Sequence, residues 1–264
     1  MIILSHYPPH QIKEAMMSKK IIVSYGGGTD SVAMLVNMQI LGIVPDEIIF
    51  ADTGSEQPHT YQHIELMQKW LLTVGFPQIT VVKYTTKNGE FLTLEQDIIN
   101  NKTIPSIAFG WKTCSHKFKI TPFNKYVKLK YPNEKIQVWV GFEYGEERRI
   151  KHNNEDNFEN YYPLIEWKLN REECVKLILN SGLTQPKKSS CYFCPNMKEN
   201  EILELSDELK EKVIFIESNA TKLIELKGLG RNKRWTDLIN ADKNQLKIDW
   251  NAEDWHDQDC NCIT

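Results

Sequence analysis

Apolar and polar positions switch between two periods along this chain. Four short runs rich in β-branched residues, Lys20–Val23, Glu47–Ala51, Gln78–Lys83 and Ile136–Gly141, predict strands. Ser31–Leu41 carries Val32, Leu35, Val36 and Ile40 at helical spacing, and Gly42 closes it. Pro58–Val74 predicts a second amphipathic helix, and Lys117–Leu129 a third despite Pro122. Alternation of this kind predicts a doubly wound α/β fold, a parallel sheet with helices on both faces. The second half changes character. Asn170 and Glu173 stand as N-cap and N3 of a helix reaching Ser181, with Gly182 behind it. Pro186–Pro195 reads as a loop, Lys198–Leu226 as two helices, and Gly228–Trp235 as a glycine-bearing basic turn. The expected organisation is a leader at 1–19, an α/β domain at 20–165 and a helical, cysteine-containing region at 166–264.

Composition narrows the class. The chain has 264 residues, 41% hydrophobic and 25% charged, which excludes a mostly disordered protein. No stretch approaches the roughly 18 consecutive apolar residues of a membrane span. Met1–Lys20 lacks a continuous apolar core of signal-peptide length, so no secretory signal and no membrane association are expected. Thirty-two basic against 35 acidic side chains give a net charge of −3, which excludes a globally basic nucleic-acid coat but leaves room for a local patch. Six cysteines are too few for a disulfide scaffold. Their C-x-x-C and C-x-C spacings point to metal or redox chemistry in a reducing compartment, so a cytoplasmic protein is expected.

The strongest chemical signal is Ile21-Ile22-Val23-Ser24-Tyr25-Gly26-Gly27-Gly28-Thr29-Asp30-Ser31. A buried strand runs into three glycines and a helix begins at once. Glycines let backbone N–H groups converge without Cβ obstruction, and the helix adds its positive end. The product is an anion cradle suited to phosphate or pyrophosphate. Its spacing matches neither the Walker loop nor the dinucleotide fingerprint.

This loop resembles the pyrophosphate loop of the ATP pyrophosphatase (PP-loop, adenine nucleotide alpha hydrolase-like) superfamily, S-G-G-x-D-S after a strand. Gly26 stands where that motif has serine, and Thr29 where it commonly has lysine. Further blocks resemble the phosphoadenylylsulfate reductase-like branch. They are Phe50-Ala51-Asp52-Thr53-Gly54 with Glu56 and Thr60, the stretch Trp111 to Pro122, and Gly141-Phe142 with Glu147-Arg148-Arg149. Tyr162 to Trp167 and Lys188 to Pro195 complete the series.

The resemblance implies a Rossmann-like nucleotide-binding sheet and ATP cleavage at the α-phosphate, with release of pyrophosphate. It implies ATP contacts from Ser24, Gly26, Gly27, Gly28, Thr29, Asp30, Ser31, Asp52, Thr53, Gly54 and Arg149. Asp30 is expected to help hold Mg²⁺, with Lys119 and Arg148 neutralising the departing pyrophosphate. The acceptor implied is a nucleic acid that then receives sulfur from a donor such as a cysteine desulfurase. Two alternatives stay open: a thiol-dependent sulfonucleotide reductase, and a catalytically weak nucleotide-binding partner subunit.

Cys191-x-x-Cys194, with Cys114 and Cys174, would supply four thiolates for a 4Fe–4S cluster or for structural zinc. The resemblance to sulfur enzymes favours iron–sulfur. Cys260 and Cys262 read as mobile redox thiols, spare ligands or an unimportant tail. The Gly228–Trp235 turn reads equally as a nucleic-acid contact and as a surface turn over a buried Trp235.

Overall fold

The computed structural model describes residues 19–105, 113–150, 157–222, 228–230 and 233–244. Five parallel strands form one sheet in the order β3-β2-β1-β4-β5. They are β1 (Lys20–Ser24), β2 (Glu47–Asp52), β3 (Ile79–Lys83), β4 (Ile136–Val140) and β5 (Phe158–Tyr161). β1 is central and its partners run outward in opposite directions, so a topological switch point lies between β1 and β4. Open parallel sheets collect ligands at the carboxyl ends of such strands.

The period-two pattern of the strands fills both faces. Ile21 and Val23, Ile48 and Phe50, and Trp139 point into one core, with α1 (Thr29–Leu41), α2 (Pro58–Thr73) and α5 (Arg171–Asn180). Ile22, Ile49, Ile136 and Val138 point into the other, against Phe123 and Val127 of α4 (Thr121–Lys130). A third cluster joins Leu94 and Ile98 of α3 (Leu94–Asn101) and Phe118 to the C-terminal helices α6 (Glu199–Leu203), α7 (Asp207–Asn219) and α8 (Trp235–Asn244). Cys114, Cys191 and Cys194 belong to that cluster.

The helix expected over Lys117–Leu129 is present but not uniform. Thr113–Ser115 leads into a π-helical turn, His116–Ile120, and then into α4. Pro122 lacks the N–H that an α-helical ladder requires, and its ring crowds the carbonyl four residues back. The ladder therefore widens by one residue, and the Thr121 N–H bonds His116 O.

Several elements escaped the periodicity, among them α3, the edge strand β5, the short helix Pro163–Glu166 and α8. The helices expected within Lys198–Leu226 are α6 and α7. The leader at 1–18, Trp111-Lys112, Arg231 and Cys260 to Cys262 fall outside the described residues. Among the described residues no helix is long and apolar enough to cross a membrane.

Candidate nucleotide and thiol site

The glycine loop leaves β1 at the switch point. Gly27 takes the left-handed backbone, φ +74°, and a Cβ there would sit 3.3 Å from Thr60 Cγ2. Gly28 is the N-cap of α1, with extended backbone and no side-chain cap. The first-turn N–H groups thus have no side-chain acceptor, the condition for an anion site at a helix N-terminus. Ser31 Oγ turns back to donate to Gly28 O at 3.0 Å. Gly141 ends β4 against the same helix start, where a Cβ would meet the Asp30 carbonyl carbon at 2.9 Å and Ser31 N at 3.0 Å. Thr60 is 1% exposed, and its hydroxyl has no partner among the described residues.

Asp30 is not isolated. Arg171 Nη1 contacts its Oδ1 at 2.9 Å, while Arg171 Nε contacts Glu143 Oε2 at 2.9 Å. Burial pushes the Asp30 carboxyl up to about 6; Arg171 opposes this, and Glu143 and Glu146 add to it. Sequence reasoning missed Arg171 and Glu143. Arg171 opens α5 directly after the capping Asn170, a position that reads as an ordinary solvated charge.

The second strand supplies Asp52, whose Oδ1 accepts from Gly54 N at 2.7 Å and Tyr61 Oη at 2.8 Å. Lys83 Nζ lies 3.4 Å from Asp52 Oδ2. Thr53 Oγ1 donates to Glu56 Oε1 at 3.2 Å and lies 3.2 Å from Cys191 Sγ. The cysteine loop runs antiparallel along this segment, with Gln57 N donating to Ser190 O and Tyr192 N to Ser55 O, both at 3.1 Å. Ser189 Oγ donates to Gly26 O, which latches the cysteine loop to the glycine loop.

The expected cations divide. Lys119 Nζ pairs with Glu56 Oε1 at 2.8 Å, on the thiol side. Burial works to lower the Lys119 pKa, and Glu56 with Cys191 more than offsets it, so the ammonium stays charged. Arg149 pairs with Glu146 at 2.5 Å and lies 4.1 Å from the Phe142 ring centre. Arg148 is exposed on the 3₁₀ turn Glu147–Arg149.

The four-thiolate set is not assembled. Cys114, Cys191 and Cys194 gather in the C-terminal core, whereas Cys174 lies in the first core on the buried face of α5. Helical spacing explains this: Cys174 and Ile178 share the stripe that faces α1. Among the described residues no group of three or more His, Cys, Asp or Glu side chains is arranged to hold a metal ion. Burial raises the Cys191 and Cys114 thiols above the ordinary range.

Trp235 is 2% exposed and fills the C-terminal core, so it is buried rather than available to stack a base. The turn around it is pinned by Glu217, whose Oε1 accepts from Leu229 N at 2.8 Å and Trp235 N at 3.0 Å.

No protein-family model matches the chain. It is 25% identical over 145 residues to an uncharacterised nin-region protein of Escherichia phage lambda, covering 49% of this chain and 50% of that protein. It is 22% identical over 207 residues to an uncharacterised protein of Methanocaldococcus jannaschii, covering 73% of this chain and 39% of that one. The chain thus spans half or less of the length of these curated relatives. Among solved structures, it resembles the U34-tRNA thiolase NcsA from Methanococcus maripaludis with its 4Fe–4S cluster, at a TM-score of 0.45 and 14% identity, covering 91% of this chain and 77% of that one. The architecture stands on this chain's own strand order, a five-stranded parallel α/β sheet with its glycine loop at the switch point.

Proposed function

We propose that the chain binds ATP on the glycine loop and cleaves it at the α-phosphate, passing the adenylyl group to a nucleic-acid oxygen that is then replaced by sulfur. One observation carries this reading. An uncapped helix N-terminus, reached through Gly26-Gly27-Gly28, opens at the switch point of a β3-β2-β1-β4-β5 sheet. The loop N–H groups and the α1 dipole would hold the β- and γ-phosphates and stabilise charge growing on the leaving pyrophosphate. No side chain needs to be the nucleophile, because the acceptor oxygen attacks phosphorus directly.

Asp30 and Glu143 are hard oxygen donors that share one cation, Arg171, and this set fits Mg²⁺. Bound there, Mg²⁺ would neutralise phosphate charge. The described cysteines do not fit a four-thiolate cluster, because Cys174 lies in a different core from Cys114, Cys191 and Cys194. Their place beside the loop, latched by Ser189, suits delivery of sulfur from an external donor such as a cysteine desulfurase.

The test is to incubate the protein with α-labelled ATP and Mg²⁺, with and without tRNA or DNA, and to follow AMP and pyrophosphate. Nucleic-acid-dependent release of both is expected. Asp30→Ala should slow it by about tenfold to a thousandfold, the range for losing one transition-state electrostatic contact. Binding of ATP without turnover would establish the partner-subunit reading instead, which the Asp30–Arg171 pair and Thr29 favour.

A further inference from the structure

We propose that Arg171 is the phosphate-directed cation of this site, reaching the loop from α5 in place of a lysine within it. The proposal rests on the polyphosphate reading above and names the residue that gives the site its charge.

Ser24 to Ser31 contains no lysine or arginine, so the loop itself offers backbone dipoles and hydroxyls but no cation. Its surroundings are acidic, with Asp30, Glu143 and Glu146 felt at one point. A polyphosphate entering that field needs a cation. Lys119 is turned to Glu56 on the thiol side, Lys83 lies beside Asp52, and Arg149 is gripped by both Glu146 oxygens at 2.5 Å. Arg171 differs in what it spans. Its two contacts, 2.9 Å each, reach the head of α1 through Asp30 and the segment beyond β4 through Glu143. Those are the two sides of the switch point.

The position is built. Asn170 Oδ1 caps α5 by accepting from Glu172 N at 3.0 Å and Glu173 N at 3.1 Å, and Glu173 returns the bond to Asn170 N at 2.8 Å. Tyr144 N donates to Leu169 O at 2.8 Å, tying the approach to α5 to the segment after β4. The side chain is 52% exposed, and its described ion pairs use Nη1 and Nε of a planar fork with five N–H donors. A guanidinium in that setting suits bidentate contact with phosphate oxygens.

The experiment is calorimetric titration of inorganic pyrophosphate and of ATP, each with Mg²⁺, into wild type, Arg171→Ala, Arg171→Lys and Arg171→Ala/Thr29→Lys. Arg171→Ala should weaken both ligands by about tenfold or more, and its affinity should depend less on salt. Arg171→Lys should lose less. The added lysine at position 29 should recover most of the loss, which repair of a merely structural contact would not do. Circular dichroism melting tracks the fold. Should Arg171→Ala fail to fold, Arg171→Gln against Arg171→Lys carries the test, with the charge-keeping variant binding more tightly. Wild type that binds while Arg171→Ala (or Arg171→Gln) binds within twofold overturns the role of Arg171 alone. Wild type that binds neither ligand overturns the polyphosphate reading, and this proposal with it.

Discussion

Asp30 carries two opposed demands. The proposed Mg²⁺ role wants it ionised, whereas burial lifts its carboxyl from 3.8 to about 6. A raised folded-state value means that the folded protein holds the proton more tightly than the unfolded chain. The associated stability is complete below the unfolded pKa and is lost as pH rises through the folded one. In chelator, wild type should therefore lose about 2 kcal/mol between roughly pH 4 and pH 7 that Asp30→Asn does not lose. Denaturant midpoints across that range decide it, and parallel curves for the two proteins would refute it. Asp30 was legible in the sequence because glycines, Asp and Ser stand consecutively after a strand. Arg171 was not, since its partner lies far along the chain and only the packing of α5 on α1 brings the two together.

At the level of elements, legibility followed length and regularity. The buried strands β1 and β2 and the helices α1 and α2 announced themselves through long apolar stripes. The α3 helix has eight residues and two buried ones, too few for a period, although Thr93 and Gln96 form a capping box. The four residues of β5, Phe-Glu-Asn-Tyr, set two strand formers against two poor ones and are too few to show a period; pairing with β4 holds them.

A further contact belongs to this scale. Glu47, at the start of β2, is 3% exposed and ties α4 to the sheet. It accepts from Tyr126 Oη at 2.6 Å, Tyr131 Oη at 2.8 Å, and Lys130 Nζ and Thr80 Oγ1 at 2.9 Å. Burial works to raise its pKa, and these donors outweigh burial and lower it. A lowered value gives stability that is present above the unfolded pKa and lost as pH falls. Glu47→Gln should cost about 1–3 kcal/mol at neutral pH, with the difference shrinking under acid. Equal acid sensitivity in the two proteins would refute this.

For the molecule as a whole, the division of its cores decides which thiols act together. The sheet cores and the C-terminal core meet where the cysteine loop lies along the segment after β2. Three thiols, Cys114, Cys191 and Cys194, fall on one side of that seam and Cys174 on the other. Sequence spacing could not separate them, because a cysteine on an amphipathic helix reads the same whether its stripe meets a ligand or a neighbouring helix. The environment separates them. Cys174 is 0% exposed, its Sγ has only a long contact of 3.9 Å to Leu169 O, and burial pushes its thiol up to about 12. Asp30 and Glu143 push it the same way. Burial raises the Cys191 thiol as well, so protonation does not divide the cysteines. Position does: Cys174 is enclosed in the sheet core while Cys114, Cys191 and Cys194 gather in the C-terminal one, so Cys174 is expected to be a packing residue. Cys174→Ala should cost about 1 kcal/mol through lost contacts. It should leave the metal content per chain and the affinity for ATP as in wild type. Cys191→Ser, beside Glu56 and Thr53, should instead disturb the thiol side of the site. Elemental analysis of anaerobically purified proteins, with melting curves alongside, makes the comparison. Metal present in wild type and missing from Cys174→Ala would place Cys174 among the ligands and sink its assignment to the core.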